Sequence, residues 1–164
     1  FGISDMRYIY SEYMLRRKIL ASRRRHLLSS AALSHEVRIF TDDSLRIKGI
    51  QHSALPDYYR ILPDIYYSSD INLLIMPESF QEAYNIIGSG GFLITDACLD
   101  IDGILTEGKD YIRFSSGSEF MQLVEFYLKN PSARDAIIRN GMNKIRRGHT
   151  YSNRIHNIMD ICLQ

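Results

Sequence analysis

Cysteine is scarce: the 164-residue chain has two, Cys98 and Cys162. That excludes a disulfide scaffold and a zinc site built from four cysteines. An excess of charge of one sign is also missing. Twenty basic side chains face nineteen acidic ones, a net charge of +1. A dedicated nucleic-acid binder carries a more basic surface, so nucleic acid is disfavoured as a partner. No apolar run reaches the ~20 residues of a membrane span. Asp5, Arg7 and Glu12 stand where the apolar core of a secretion signal would lie, so no signal peptide is expected and a cytoplasmic location is. There is no internal repeat, low-complexity tract or long linker. One domain over residues 1–164 is expected. The chain opens on Phe1 rather than Met, and an upstream segment is expected.

What is present is a globular composition. Hydrophobic residues make up 45% and charged residues 24%, enough apolar surface to fill a core and exclude wholesale disorder. Charge is unevenly placed. Residues 1–35 form a basic segment with a net charge of +5, leaving −4 for residues 36–164. The stretch 7–25 (Arg7, Arg16, Arg17, Lys18, Arg23, Arg24, Arg25) is either a solvated helix face or a peripheral contact with an anionic membrane.

Hydrophobic spacing predicts the elements. Residues 5–33 lack Gly and Pro and carry Ile9, Tyr13, Leu20, Leu27 and Leu28 at helical spacing. Residues 37–40 form a strand candidate, with a brief second strand near Ile50. Pro56 and Pro63 punctuate two short helical turns. The apolar run 71–75 reads as a strand buried on both faces. A helix at about 79–88, a strand at 92–95, a short helix at 100–106 and a strand at 111–114 follow. Phe120, Leu123, Val124, Tyr127 and Leu128 line one helix, Ala133, Ile137, Ile138 and Ile145 the next. Ile155, Ile158, Met159 and Cys162 line a third. Strands alternating with helices indicate an α/β fold with a parallel sheet flanked by helices and a helical C-terminus.

Ligands of such sheets bind beyond the carboxyl ends of the strands. Two junctions therefore matter. Ser79 and Glu82 have capping-box spacing at the start of a helix, whose free amides would also meet a phosphate. Gly88-Ser89-Gly90-Gly91 closes that helix before the next strand, either as a C-cap or as a close approach for a ligand. It is not the dinucleotide fingerprint, in which glycines open a helix after a strand. The histidines (His26, His35, His52, His149, His156) show no spacing that promises a metal site. Cys98 has no base near it in sequence. Tyr58, Tyr59, Tyr66 and Tyr67 suit either core packing or stacking on a base.

The order of these pieces carries a resemblance. Residues 62–73 (LPDIYYSSDINL), 90–96 (GGFLITD), 107–110 (EGKD) leading to Phe114, 127–131 (YLKNP), Arg134 and 149–154 (HTYSNR) follow one another as in the C-terminal domain of GT-B-fold glycosyltransferases. Residues 54–164 resemble in particular the family-1-like group that includes spore-maturation (CgeB-type) proteins. The resemblance implies a Rossmann-like, nucleotide-sugar-binding lobe at 36–164, one half of a two-lobed enzyme whose acceptor lobe lies N-terminal in cis. It implies a metal-independent transfer of a sugar from a UDP- or GDP-sugar, the nucleotide sugar being co-substrate and no cofactor being required. The acceptor and the catalytic base are not specified. Fixed donors would replace a metal in meeting the departing diphosphate.

By that resemblance the donor site comprises Ser79, Glu82, Asn85, Ser89, Gly90 and Gly91, with Tyr58 as a stacking candidate. Aligned on Gly90-Gly91, the family's usual acidic residue falls on Asn85 and its usual arginine on Glu82. Asn85 still hydrogen-bonds a ribose diol, but more weakly than a carboxylate. Glu82 puts an anion near the phosphate; at ~5 Å and an effective dielectric near 20 that costs on the order of 3 kcal/mol. These departures motivate an alternative: a catalytically inactive, glycosyltransferase-like binding or assembly module.

Overall fold

The computed structural model describes residues 18–40, 46–75, 81–96 and 104–163. Contacts divide the chain into two units, Phe1–Leu55 and Pro56–Gln164. The first unit contains helix α1 (18–31), where Leu27 and Ala31 are buried. It is followed by strands β1 (Arg38–Phe40) and β2 (Gln51–Ser53), which pair in parallel with Ile39 opposite His52. The His52 ring accepts the Ile47 amide at 3.2 Å, closing the turn before β2. Of the basic stretch 7–25, residues 18–25 are helical and the rest lies outside the described residues.

The second unit runs α2 (Leu62–Ser68), β3 (Asn72–Leu74), α3 (Gln81–Gly88), β4 (Leu93–Asp96), β5 (Ile112–Phe114), α4 (Gly117–Lys129), α5 (Pro131–Gly148) and α6 (Tyr151–Cys162). Its sheet is parallel, ordered β3-β4-β5, with Leu73 opposite Ile94 and Ile94 opposite Ile112. The expectation that the 71–75 run would be the strand buried on both faces is corrected. β4 sits in the middle and all four of its residues are buried, whereas Leu73 and Leu74 of β3 are half-buried. A central strand is covered on both faces and both edges, which is why β4 needs no polar alternation.

Polar groups at the sheet are matched. The buried Asn72 donates from Nδ2 to the Tyr66 carbonyl at 2.9 Å and the Phe92 carbonyl at 3.3 Å. It thereby ties the end of α2 to the start of β4. Thr95, fully buried, donates from Oγ1 to the Leu74 carbonyl at 2.8 Å. Leu62, Tyr66, Ala83, Ile86, Ile87, Leu93, Leu105, Tyr111 and Ile145 form one core cluster. α5 approaches closely because position 141 is glycine: a Cβ there would lie 2.6 Å from the Asp110 carbonyl oxygen and 2.8 Å from Ile87 Cγ2.

Two further expectations change. Residues 104 and 105 form a turn and a bend, while 100–103 of the expected helix lie outside the described residues. α6 forms where its periodicity says, but Ile155, Ile158, Met159 and Cys162 are exposed rather than packed. A helix needs only its local hydrogen bonds and caps to be regular, so periodicity announces an apolar face without announcing what covers it.

Candidate functional site

α3 is an eight-residue helix with two working faces. Ala83, Ile86 and Ile87 turn into the core. Gln81, Tyr84, Asn85, Gly88 and Ser89, at i, i+3, i+4, i+7 and i+8, line a cleft of about 600 Å³. The opposite wall is the end of α5 and the start of α6, with Ile145, Arg146, His149, Thr150, Tyr151 and Arg154. The chain turns there because Thr150 caps α6. Its hydroxyl accepts the Asn153 amide at 3.2 Å, and Asn153 Oδ1 accepts the Thr150 amide at 3.1 Å.

The cleft's chemistry is cationic and aromatic. The Arg154 guanidinium carbon stands 5.5 Å from the Tyr84 ring centroid, and the His149 ring centroid lies 6.4 Å from it, tilted by 50°. Burial pushes the Tyr84 hydroxyl pKa up, with the Arg154 charge working against it. Gln81 Nε2 donates to the Tyr151 hydroxyl at 3.0 Å, joining α3 to α6 at one end of the cleft. Arg146 and Arg154 bring two permanent positive charges to one wall, and no carboxylate lines the cleft among the described residues. Such a surface offers donors of the kind that meet an oxyanion, next to an aromatic face.

The structure gathers some of the sequence-predicted residues and separates others. Asn85 and Ser89 line the cleft, and the Tyr58 hydroxyl accepts a hydrogen bond from Asn85 Nδ2. Glu82 faces α2 instead, where its Oε1 accepts the Tyr66 hydroxyl at 2.8 Å. Burial, then this hydrogen bond, drives the Tyr66 pKa far above the ordinary phenol value. Gly90 and Gly91 do not line the cleft. Gly90, at φ +86°, donates its amide to the Ile87 carbonyl at 3.0 Å, and Gly91 donates to the Ile86 carbonyl at 2.9 Å. These two bonds are a Schellman cap on α3. Ser79 and Cys98 lie outside the described residues.

Sequence reasoning did not place Tyr84, Arg146, His149, Tyr151 or Arg154 at a site. The polar spacing 81, 84, 85, 88, 89 was the available signal for the α3 wall. The other wall was carried by the 149–154 stretch, whose position opposite α3 is a tertiary fact. Among the described residues no group of three His, Cys, Asp or Glu side chains is arranged to hold a metal. Nor is any described helix long and apolar enough to cross a membrane.

Comparison with known proteins agrees with this architecture. No curated protein matches the chain. Among solved structures, the C-terminal domain of a glycosyl transferase group 1 family protein, LpcC, from Francisella tularensis is similar in fold. Its TM-score is 0.55 at 16% identity, over 63% of this chain and 55% of that one. The chain thus spans about half of that structure's length. A family model described as glycosyl transferase-like matches residues 23–160, most of the chain. The fold is that of the C-terminal domain of a GT-B glycosyltransferase, and the chain belongs to the glycosyl transferase-like family.

Proposed function

We propose that this chain is the donor lobe of a glycosyltransferase, binding a nucleoside-diphosphate sugar, UDP- or GDP-linked, in the cleft along α3. The observation that carries the reading is the pairing of Tyr84, Asn85 and Ser89 on one wall with Arg146, His149 and Arg154 on the other. The arginines would meet the diphosphate, Asn85 and Ser89 the ribose hydroxyls, and Tyr84 an apolar ring or sugar face. As the leaving nucleotide gains charge, donors already fixed in place stabilise it without reorganising. The capped glycines contribute indirectly, by ending α3 so that Ser89 stays on the cleft. An N-terminal acceptor lobe in cis, an unspecified acceptor, a CgeB-type affiliation and a cytoplasmic location belong to the same proposal. Positioning by a second lobe is required for transfer, since orientation of both substrates supplies much of the rate.

Glu82 favours a second reading. A carboxylate held by Tyr66 stands where the family's arginine is expected, which suits a lobe that binds without transferring. Amide-resolved NMR titration with UDP and GDP separates the readings from no binding at all. Shifts concentrated at Tyr84, Asn85, Ser89 and Arg154 are expected. Shifts absent there with both nucleotides would remove the donor-lobe reading.

A further inference from the structure

A second hollow, of about 640 Å³, lies along α5 and adjoins the first at His149. It is lined by Lys109 and Asp110 of the 106–110 loop and by Asn140, Asn143, Lys144 and Arg147 of α5, with Gly148 and His149 at its end. Its charge balance is lopsided. Asp110 is the one carboxylate in the lining, and it is already satisfied: its Oδ2 accepts the Thr106 amide at 2.7 Å and Lys144 Nζ at 2.9 Å. Lys109 and Arg147 remain as exposed cations. The sequence deepens the imbalance. From residue 136 through residue 159 there are five Lys or Arg residues (Arg139, Lys144, Arg146, Arg147, Arg154) and no Asp or Glu.

Arg146 and Arg147 offset the negative end of α5, which accounts for a cation at the helix terminus. It does not account for Lys109, which the Gly108 turn (φ +75°) brings to the same hollow from a separate loop. Two carboxamides, Asn140 and Asn143, complete the rim one turn apart on α5 with hydrogen-bond donors. The Arg147 guanidinium, the Lys109 ammonium and amide donors around one concavity are the groups that meet the tetrahedral oxygens of a phosphate. The hollow is shallow and open to solvent, so a phosphate group carried on a larger molecule reaches it as readily as a free ion.

The geometry points to this hollow as a phosphate-binding site distinct from the α3 cleft, taking a phosphorylated ligand through Lys109, Arg147, Asn140 and Asn143, with Lys144 holding Asp110 neutralised beside it. The chemistry is common to a soluble phosphorylated molecule and to a phospholipid headgroup, and the experiment has an arm for each.

The ¹⁵N-labelled full chain is titrated with inorganic pyrophosphate near physiological salt, and separately mixed with vesicles of phosphatidylglycerol or of phosphatidylcholine. Saturating shifts are expected at the amides of Lys109, Asn140, Asn143 and Gly148; His149, which lines both hollows, is not used as a reporter. The Lys109→Ala/Arg147→Ala variant should weaken pyrophosphate binding at least about fivefold, because charge-assisted contacts are lost. Its thermal midpoint and its shifts with UDP at Tyr84 and Ser89 should stay as in the parent. Should that variant misfold, Asn140→Asp/Asn143→Asp introduces anions on an exposed helix face and must abolish binding alone. Pyrophosphate binding without vesicle binding identifies a soluble ligand. Binding to phosphatidylglycerol vesicles alone, lost in the variant, identifies a lipid headgroup. No shifts and no vesicle binding, or binding that neither variant changes, overturns the site. Loss of UDP binding at the α3 cleft would instead overturn the donor-lobe reading and leave this site standing.

Discussion

Adding one methyl at Gly91 would place a Cβ 2.7 Å from Asn72 Nδ2 and 2.9 Å from the Tyr66 carbonyl oxygen. Those atoms hydrogen-bond each other, so neither moves freely. Gly91→Ala is expected to cost about 2 kcal/mol, the scale of overpacking a filled interior. Gly90→Ala should cost about 1 kcal/mol through its left-handed backbone. Urea denaturation of both variants reads these values, and nucleotide shifts at Tyr84 should persist in each folded protein. Tyr66 makes a second residue-scale test. Because its folded pKa lies above the unfolded value, the folded state holds a proton that the unfolded chain gives up as pH rises past 10.0. Stability from this group is therefore complete below that pH and falls above it. Tyr66→Phe should remove that alkaline slope in melts recorded from neutral to alkaline pH. It should also cost about 1 kcal/mol at neutral pH, from the hydrogen bond to Glu82.

At the scale of elements, α4 shows how a helix start is held. Ser116 accepts the Glu119 amide at 3.2 Å, and Glu119 reaches back to the Ser115 hydroxyl at 2.6 Å and the Ser115 amide at 2.8 Å. The Ser115 hydroxyl first, and then its amide, hold the Glu119 carboxyl below the ordinary range. Its contribution is present above the unfolded pKa and lost as pH falls through the lower folded value. Glu119→Gln should flatten that part of the acid limb, measured as thermal midpoint against pH, and leave the alkaline limb as it was.

α6 makes the opposite point. Ile155 and Ile158 are each 59% exposed. Replacing both with Lys should shift stability by no more than about 0.5 kcal/mol, since little packing is lost. A larger loss in denaturant titration would mean that the face is covered.

These helices also show what could be read in advance. The strands at 38–40, 93–96 and 112–114 and helices α4 and α5 follow from local periodicity, and so were legible. The burial of β4 over β3 depends on strand order, which periodicity does not encode. The Gly90-Gly91 pair was legible as a cap, because glycine after a helix satisfies the last carbonyls. Its separation from the cleft was not, since that depends on where Asn72 and Tyr66 pack. Arg154 came into view only when α6 was set opposite α3.

At the scale of the whole molecule, the chain has the fold of a GT-B C-terminal domain and belongs to the glycosyl transferase-like family, and the proposal is that its cleft between α3 and the α5–α6 turn binds a nucleoside diphosphate. The parallel sheet supports α3, the Schellman cap ends it, and the Thr150 cap sets Arg154 against Tyr84. Every part of that arrangement lies within the unit Pro56–Gln164. Calorimetric titration of the chain with UDP and with GDP, repeated on Arg154→Ala, tests the claim most directly. The account predicts saturable heat with one of the two nucleotides and affinity about tenfold weaker in the variant, a difference of ~1.4 kcal/mol. Absence of heat with both nucleotides at millimolar concentration, or equal affinity in the variant, would contradict it.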